Sequence, residues 1–328
     1  DVYKRQNVFK GVHKVYVQFE GGTNGDKYCA NMDWFKFYDP NANNPLEEDG
    51  PLYLYKGCAV TGTAETNLER AKEIAAKADV VIFAAGTDLT VSDESHDRTD
   101  LNLPGDQQKL LEAVYSANPN VILLLQTCSS VTINWAKEHV PAIIEAWYGG
   151  QAQGKAIADV LYGDYNPSGR LPISVPRSVG QIPVYYNQKA PRNHDYVEVS
   201  SSPLYSFGYG MSYTTFEYSD LQVVQKSARC FEVSFKVKNT GKYDGEEVSQ
   251  LYMRDEYASV VQPMKQLKHF ERFHLKKGEE KKVTFVLTEE DFFLVNYTLK
   301  KVVESGTFQV MIGSSSDDIR LEKSISVE

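Results

Sequence analysis

The spacing of hydrophobic residues between positions 52 and 176 constrains the fold more than any other feature of the chain. Short apolar runs such as VVIFAAG (80–86) and VILLLQT (121–127) alternate with segments of helical spacing, as in TNLERAKEIAAKAD (66–79). Continuous apolar runs of this length are typical of parallel strands buried on both faces, and alternation with helices gives layered sheets. We therefore predict an α/β sandwich with a mostly parallel sheet over residues 47–190.

A different period begins at residue 217. The apolar residues Phe231, Val233, Phe235 and Val237 alternate with polar ones, and turn sequences such as NTGKYDG separate further segments of the same kind. A period of two is typical of strands with one buried face, and short strands separated by such turns predict two packed sheets. Residues 217–328 are therefore predicted to form an all-β sandwich.

Two shorter segments complete the predicted organisation. Residues 1–46 contain the alternating stretch VHKVYVQFE and end in a polar segment, which predicts the last part of a β module. Residues 191–216 are rich in aromatic side chains, and we predict that they connect the α/β domain to the β domain. Four of these aromatic residues are predicted to pack between the two domains: Tyr205, Phe207, Tyr209 and Tyr213.

The net charge argues against two classes of partner. A formal charge of −9 and an isoelectric point of about 5.3 would repel nucleic acid and anionic lipid. No apolar stretch approaches the roughly 20 residues that a membrane-spanning helix needs. The four cysteines are widely spaced and match no zinc pattern. We predict no nucleic-acid partner, no membrane span, no metal and no cofactor.

One loop of the α/β domain combines charge with a favourable position. Residues 87–103, called the acidic loop below, follow an apolar run and contain the sequence SDESHDR. In open α/β sheets, ligands bind at the carboxyl ends of the strands because the connecting loops converge there. Polar loops are also an ordinary feature of solvated surfaces. Position and composition alone leave both interpretations open.

The acidic loop resembles the acid/base loop of family 3 glycoside hydrolases. Glu94, Asp97 and Arg98 form the pattern ExxDR, and LNLPGDQQKLLEAV follows two residues later. The resemblance continues through AIIEAWYGGQAQGKAIADVLYGDYNPSGRLPISVP and PLYSFGYGMSYTTFEYS. Near the end of the chain, VKNTGKYDGEEVSQLYM and ESGTFQVMIGSSSDDIRL resemble the fibronectin type III-like domain of many such enzymes. ExxDR alone is a weak signal, whereas this ordered set of motifs is specific.

A second resemblance concerns residues 1–46. The stretches GVHKVYVQFEGG and NMDWFKFYD are similar to the end of a family 6 carbohydrate-binding module. In some family 3 enzymes such a module is inserted ahead of the domain that bears the acid/base, which would explain the order of segments in this chain. An unrelated β segment is the alternative interpretation.

The family resemblance implies a retaining, exo-acting β-glycosidase that hydrolyses terminal β-glucosyl or β-xylosyl residues of plant-derived glycans. Such enzymes use one carboxyl group as nucleophile and another as general acid and then base. By resemblance, Glu94 is the general acid/base; its neighbour Asp93 is the rival, but the family pattern places the donor three positions before Asp97. The nucleophile is implied to be an aspartate on an N-terminal (β/α)8 barrel. We expect this chain to be a fragment that holds one half of the active site and is inactive alone.

The remaining candidate site residues surround Glu94 or follow another strand. Asp97 and Arg98 are predicted to support the acidic loop through a local ion pair. His96 is a candidate substrate contact, and an exposed loop histidine is an equally good interpretation. Trp147 and Tyr148 are candidates to offer an apolar face to a pyranose ring, for which core packing is the competing interpretation.

The implied partners are an oligosaccharide or β-glycoside substrate and the N-terminal barrel of the same protein. The resemblance also implies a periplasmic or secreted location. A non-catalytic carbohydrate-binding protein is the alternative function, and sugar binding by residues 1–45 with none at Glu94 would favour it. The choice between glucose and xylose stays open, because the pocket that recognises the sugar would lie mostly on the barrel.

Overall fold

The computed structural model describes residues 16–18, 36–38, 68–95, 97–189 and 195–328. By its internal contacts the chain divides into two compact units. The α/β unit contains the described residues up to 165 together with 177–180, and the β unit contains residues 166–176 and the described residues from 181 to 328. No helix among the described residues has both the length and the apolar character needed to span a membrane.

The division differs from the boundary that we predicted at residue 190. The Asn166 side chain donates a hydrogen bond to the backbone carbonyl of Asp244 (2.9 Å), and the Leu171 amide donates to the Tyr209 carbonyl (2.8 Å). Residues 166–176 therefore pack with the β unit, because their prolines end the strand and helix pattern before that point. In the predicted connector, Phe207 stacks on Tyr186 with ring centroids 4.1 Å apart, and both rings belong to the β unit.

In the α/β unit, each strand of the described chain from residue 81 onward is followed by at least one helix. The elements are β1 (Tyr16–Gln18), β2 (Lys36–Tyr38), α1 (Leu68–Lys77), β3 (Val81–Gly86), α2 (Leu89–Ser92), α3 (Gln107–Ala117), β4 (Val121–Gln126), α4 (Asn134–His139), β5 (Ala142–Glu145) and α5 (Gln153–Tyr162). Helices α1, α3 and α5 lie where helical spacing predicts them. Residues 66 and 67, at the start of the helical segment predicted over 66–79, lie outside the described residues.

Among the described residues, a three-stranded parallel sheet forms the centre of this unit, in the order β3–β4–β5. The middle strand is completely buried, as its unbroken apolar sequence predicts. In the register of the sheet, Gly86 pairs with Gln126 and Leu125 pairs with Glu145. The parallel sheet predicted from the sequence is confirmed, and the residues that follow its three strands meet at one edge.

The β unit is built from antiparallel strands. Its elements are β6 (Phe216–Ser227), β7 (Cys230–Asn239), β8 (Gly245–Asp255), β9 (Gln266–Leu275), β10 (Glu280–Leu287), α6 (Glu289–Phe292), β11 (Leu294–Val295), β12 (Lys301–Val302), β13 (Gly306–Gly313) and β14 (Ile319–Val327). One sheet has the order β10–β7–β6 and another the order β14–β13–β8–β9.

The core of the β unit takes side chains from both of these sheets. Val233 and Val237 of β7 and Val310 of β13 are fully buried, and they belong to the same apolar cluster. The alternation predicted for residues 231–237 is therefore observed. The all-β sandwich predicted for the last domain is confirmed.

Candidate active site

The acidic loop leaves the sheet at Gly86, the last residue of β3. Gly86 has a φ of 154°, and a Cβ atom at this position would lie 1.9 Å from the backbone carbonyl oxygen of Gln126 on β4. Only glycine therefore allows β3 to end so close to its neighbour. The first residue of the acidic loop is thus held against the end of the middle strand.

A buried glutamine joins the start of the acidic loop to the helix that follows it. The Gly86 amide donates to Gln107 Oε1 (2.7 Å), and Gln107 Nε2 donates to the Gly86 carbonyl (2.9 Å). Gln107 is the first residue of α3 and only 4% of its surface is exposed. One side chain thus satisfies both backbone polar groups of Gly86. The end of β3 and the start of α3 therefore lie next to each other.

Glu94 lies in a turn directly after the short helix α2. Asp88 caps the start of this helix by accepting a hydrogen bond from the Thr90 amide (2.9 Å), and Asp93 Oδ1 accepts one from the Glu94 amide (2.8 Å). The Asp93 carboxylate thus already accepts a hydrogen bond from the backbone. Within the described residues, the exposed Glu94 carboxylate has no hydrogen bond or ion pair. Of the two rivals for the acid/base role, Glu94 has the carboxyl group free for a ligand.

The two other described members of the ExxDR motif differ in their surroundings. Arg98 is half-buried; it donates a hydrogen bond to the Asn102 carbonyl and lies 3.9 Å from the carboxylate of Asp100. Asp97 is exposed and forms no ion pair with Arg98 in the part of the chain that the structure describes. Arg98 therefore connects the middle of the acidic loop to its second half, while His96 lies outside the described residues.

The second half of the acidic loop is bonded to the segment that follows β4. The Thr132 amide donates to the Leu101 carbonyl (2.7 Å), and the Thr132 hydroxyl donates to Asn102 Oδ1 (2.8 Å). Asn102 and Thr132 also form an isolated parallel bridge. The loop is consequently held on both sides of Glu94.

Tyr148 connects the segment after β5 to the start of the acidic loop. Its hydroxyl donates to the Thr87 carbonyl (2.9 Å), and its oxygen lies 2.9 Å from the Thr87 hydroxyl and 3.2 Å from that of Ser92. The side chain is 46% exposed, so its ring is only partly packed. The structure thus brings Tyr148 to the acidic loop, whereas Trp147 is half-buried and adopts a φ of 50°.

Glu145, the last residue of β5, is a site residue that we did not predict from the sequence. Its Oε1 atom accepts hydrogen bonds from the Trp147 amide (3.0 Å) and the Thr127 hydroxyl (3.2 Å). Burial raises the pKa of this carboxyl to about 7, against the opposing effect of these two hydrogen bonds. A single acidic residue that ends an apolar strand at the ligand-binding edge was the available signal.

Cys128, which follows β4, lies beside the same loops. Its amide donates to the Thr87 hydroxyl (3.3 Å), and the thiol is exposed. Burial acts to raise the pKa of this thiol, but hydrogen bonds with Ser92, Ser129 and Thr87 lower it overall. Among the described residues, no group of three or more His, Cys, Asp or Glu side chains is placed to hold a metal ion.

Comparison with protein families identifies two regions of the chain. Residues 4–213 match the glycosyl hydrolase family 3 C-terminal domain, and residues 247–316 match the fibronectin type III-like domain. This chain belongs to glycosyl hydrolase family 3. The family 3 match includes residues 4–46, and the carbohydrate-binding module predicted for residues 1–46 stays a prediction.

Three relatives illustrate the relationship of this chain to family 3. A "Beta-xylosidase" of Formosa agariphila is 40% identical over 95% of this chain and 43% of its own length. A "Periplasmic beta-glucosidase" of Salmonella typhimurium is 39% identical over 77% of this chain and 35% of its own length. The crystal structure of a β-glucosidase from Listeria innocua in complex with glucose has a TM-score of 0.76 at 34% identity. That match covers 81% of this chain and 39% of the Listeria chain. The chain thus spans less than half the length of these family 3 relatives.

Proposed function

We propose that this chain carries the general acid/base of a retaining, exo-acting β-glycosidase, and that Glu94 is that residue. The observation that carries the proposal is the state of Glu94. Its carboxylate is exposed and has no partner among the described residues, on a loop that is bonded on both sides of Glu94 to the segments that follow β5 and β4. A group that must meet a substrate oxygen needs this combination of a fixed backbone and a free side chain.

In the proposed reaction, Glu94 acts twice. It first donates its proton to the glycosidic oxygen as the leaving group departs and a nucleophilic carboxylate attacks the anomeric carbon. The resulting glycosyl-enzyme is then attacked by water, which Glu94 deprotonates. The nucleophile is proposed to be an aspartate on a (β/α)8 barrel elsewhere in the same protein. Relatives more than twice as long as this chain are consistent with such a domain.

The proposed substrates are terminal β-glucosides or β-xylosides of plant-derived glycans. Support comes from the names of the relatives, which include a β-xylosidase and a β-glucosidase. A periplasmic or secreted location is proposed on the same basis, since one relative is named as periplasmic. Asp97 and Arg98 are proposed to support the acidic loop, and His96, Trp147 and Tyr148 are proposed to contact the substrate.

The experiment is a leaving-group comparison in the full-length protein. Glu94→Ala should lower kcat/KM for alkyl β-glycosides on the order of 10²- to 10⁴-fold, because these substrates need the proton. Dinitrophenyl β-glycosides have good leaving groups and should lose much less in the first step. Azide, which needs no deprotonation, should restore turnover and yield the β-glycosyl azide.

Two control variants make this experiment decisive. Asp93→Asn changes the rival carboxylate, and Glu138→Gln changes an exposed glutamate of helix α4. Both should keep the wild-type ratio of alkyl to aryl activity. Equal loss on both substrate classes in Glu94→Ala, or the leaving-group effect in Asp93→Asn instead, would overturn the assignment of Glu94.

A further inference from the structure

The segment after β5 has an unusual backbone that depends on Glu145. Trp147 adopts a left-handed φ of 50°, a backbone conformation that is unfavourable for a bulky residue. The Trp147 amide donates to Glu145 Oε1, and the same oxygen accepts the Thr127 hydroxyl. Glu145 therefore satisfies the backbone of the strained residue and joins it to the end of the middle strand.

The strained residue directly precedes Tyr148, which is bonded to the acidic loop. The Tyr148 hydroxyl meets Thr87 at the start of the loop and Ser92 at the end of α2. The Ser92 hydroxyl also donates to the Asp88 carbonyl. Tyr148 therefore contacts a residue that is itself hydrogen-bonded to the start of α2. Glu94 follows Ser92 by two residues. The hydroxyl of Tyr148 thus supports the Glu94 turn from another loop.

We propose that Glu145 is a positioning residue, which holds the Trp147 backbone so that Tyr148 fixes where the Glu94 turn lies. The proposal rests on the function proposed for Glu94. Neither Glu145 nor Tyr148 touches the reacting atoms in this arrangement. Their effect reaches the reaction through the location of the proton donor, to which proton transfer is sensitive at the scale of 1 Å.

The positioning role predicts a specific pattern in the kinetics of the full-length protein. Tyr148→Phe removes only the hydroxyl, so kcat for alkyl β-glycosides should fall on the order of 10- to 100-fold while KM changes less than about twofold. Dinitrophenyl β-glycosides should be affected much less. Tyr185→Phe is the matched control because Tyr185 is an exposed tyrosine of the β unit, and its kinetics should match the wild type.

Two substitutions of Glu145 separate its hydrogen-bonding role from its bulk. Glu145→Gln keeps an oxygen that accepts from the Trp147 amide and the Thr127 hydroxyl, so it should retain most of the alkyl-glycoside activity. Glu145→Ala removes the acceptor and should show the same selective loss in kcat as Tyr148→Phe. A uniform loss on both substrate classes, or equal loss in the Gln and Ala variants, would overturn the positioning role.

Hydrogen exchange on the present chain tests the same inference without any activity. Tyr148→Phe should accelerate amide exchange at residues 87–95 and leave β4 and the β unit unchanged, and Tyr185→Phe should leave residues 87–95 unchanged. If the full-length protein hydrolyses no β-glycoside, the proposed function fails, while exchange still reports on the support of the loop. If the protein is active and Tyr148→Phe alters neither exchange nor alkyl-glycoside turnover, the positioning role fails and Glu94 stands.

Discussion

The hydroxyl of Tyr148 donates a hydrogen bond to the backbone carbonyl of Thr87 at 2.9 Å. These residues follow β5 and β3, the two strands that flank the middle strand of the parallel sheet. The bond therefore passes over the end of β4, where Thr127 and Cys128 bond to the same two loops. The edge of the sheet that bears Glu94 is consequently held by side chains from all three strand ends.

The pKa of Glu145 predicts a pH-dependent stability of the α/β unit. A carboxyl whose pKa is raised from 4.5 to about 7 on folding favours the protonated folded state. The resulting stability is fully present below pH 4.5 and is lost as the pH rises through 7, with a total loss on the order of 3 kcal/mol. Glu145→Gln should remove this loss and be more stable than the wild type at pH 8.

Urea unfolding at pH 4.5 and pH 8, followed by tryptophan fluorescence, measures this effect. All three tryptophans of the chain precede residue 166, so the signal comes from outside the β unit. Glu138→Gln removes an exposed carboxyl and should keep the wild-type pH dependence. If the free energy of unfolding changed equally with pH in Glu145→Gln and in the wild type, Glu145 would not be the source of the pH dependence.

Replacement of Gly86 should destabilise the α/β unit through a steric clash. In Gly86→Ala the new methyl group would lie 1.9 Å from the Gln126 carbonyl oxygen, so β3 and β4 must separate. We expect a loss on the order of 3 kcal/mol in the free energy of unfolding. Gly150→Ala is the control: its φ of 72° is strained, but no atom lies within 4 Å of the added methyl. This control should lose only about 1–2 kcal/mol. Equal losses in the two variants, measured by urea unfolding, would exclude the clash as the cause.

A buried ion pair should govern the stability of the β unit. Arg170 lies 3.1 Å from the carboxylate of Glu247, which is 2% exposed and also accepts the Tyr218 hydroxyl at 2.9 Å. Arg170→Met leaves this carboxylate buried without its cation, and we expect a loss of about 3–5 kcal/mol. The measurement is urea-dependent hydrogen exchange of β8.

Two further variants test the cause of that loss. Arg272→Met breaks an exposed pair with Glu246 and should cost no more than about 1 kcal/mol. Arg170→Met combined with Glu247→Gln removes both charges and should recover part of the stability. A double variant less stable than Arg170→Met alone would show that the uncompensated carboxylate is not the origin of the effect.

The sequence predicted the elements whose signal is local. The strands β3 and β4 follow from uninterrupted apolar runs, and Glu94 was predicted because a motif that resembles the family 3 acid/base loop follows one of them. Glu145 and Gln107 were missed because their roles depend on residues that are distant in sequence. The bond between Glu145 and Thr127 requires the register that pairs β5 with β4, and the pairing of Gln107 with Gly86 requires the start of α3 to lie against the end of β3. Neither arrangement leaves a periodic pattern.

The domain boundary was harder to predict for a related reason. The prolines after residue 166 mark the end of the α/β pattern, but sequence alone does not tell which unit an irregular segment joins. Its hydrogen bonds with Asp244 and Tyr209 decide this, and both are accepted by backbone carbonyl groups, which carry no sequence signal.

Because Gln107 pairs with Gly86, the length of the acidic loop can change without a change in the sheet. Because one amide side chain closes the connection at its base, residues can be inserted or deleted between these two points without disturbing the strands. Related chains can therefore vary the reach of this excursion on an unchanged framework. A change in loop length can therefore evolve at a small cost to folding.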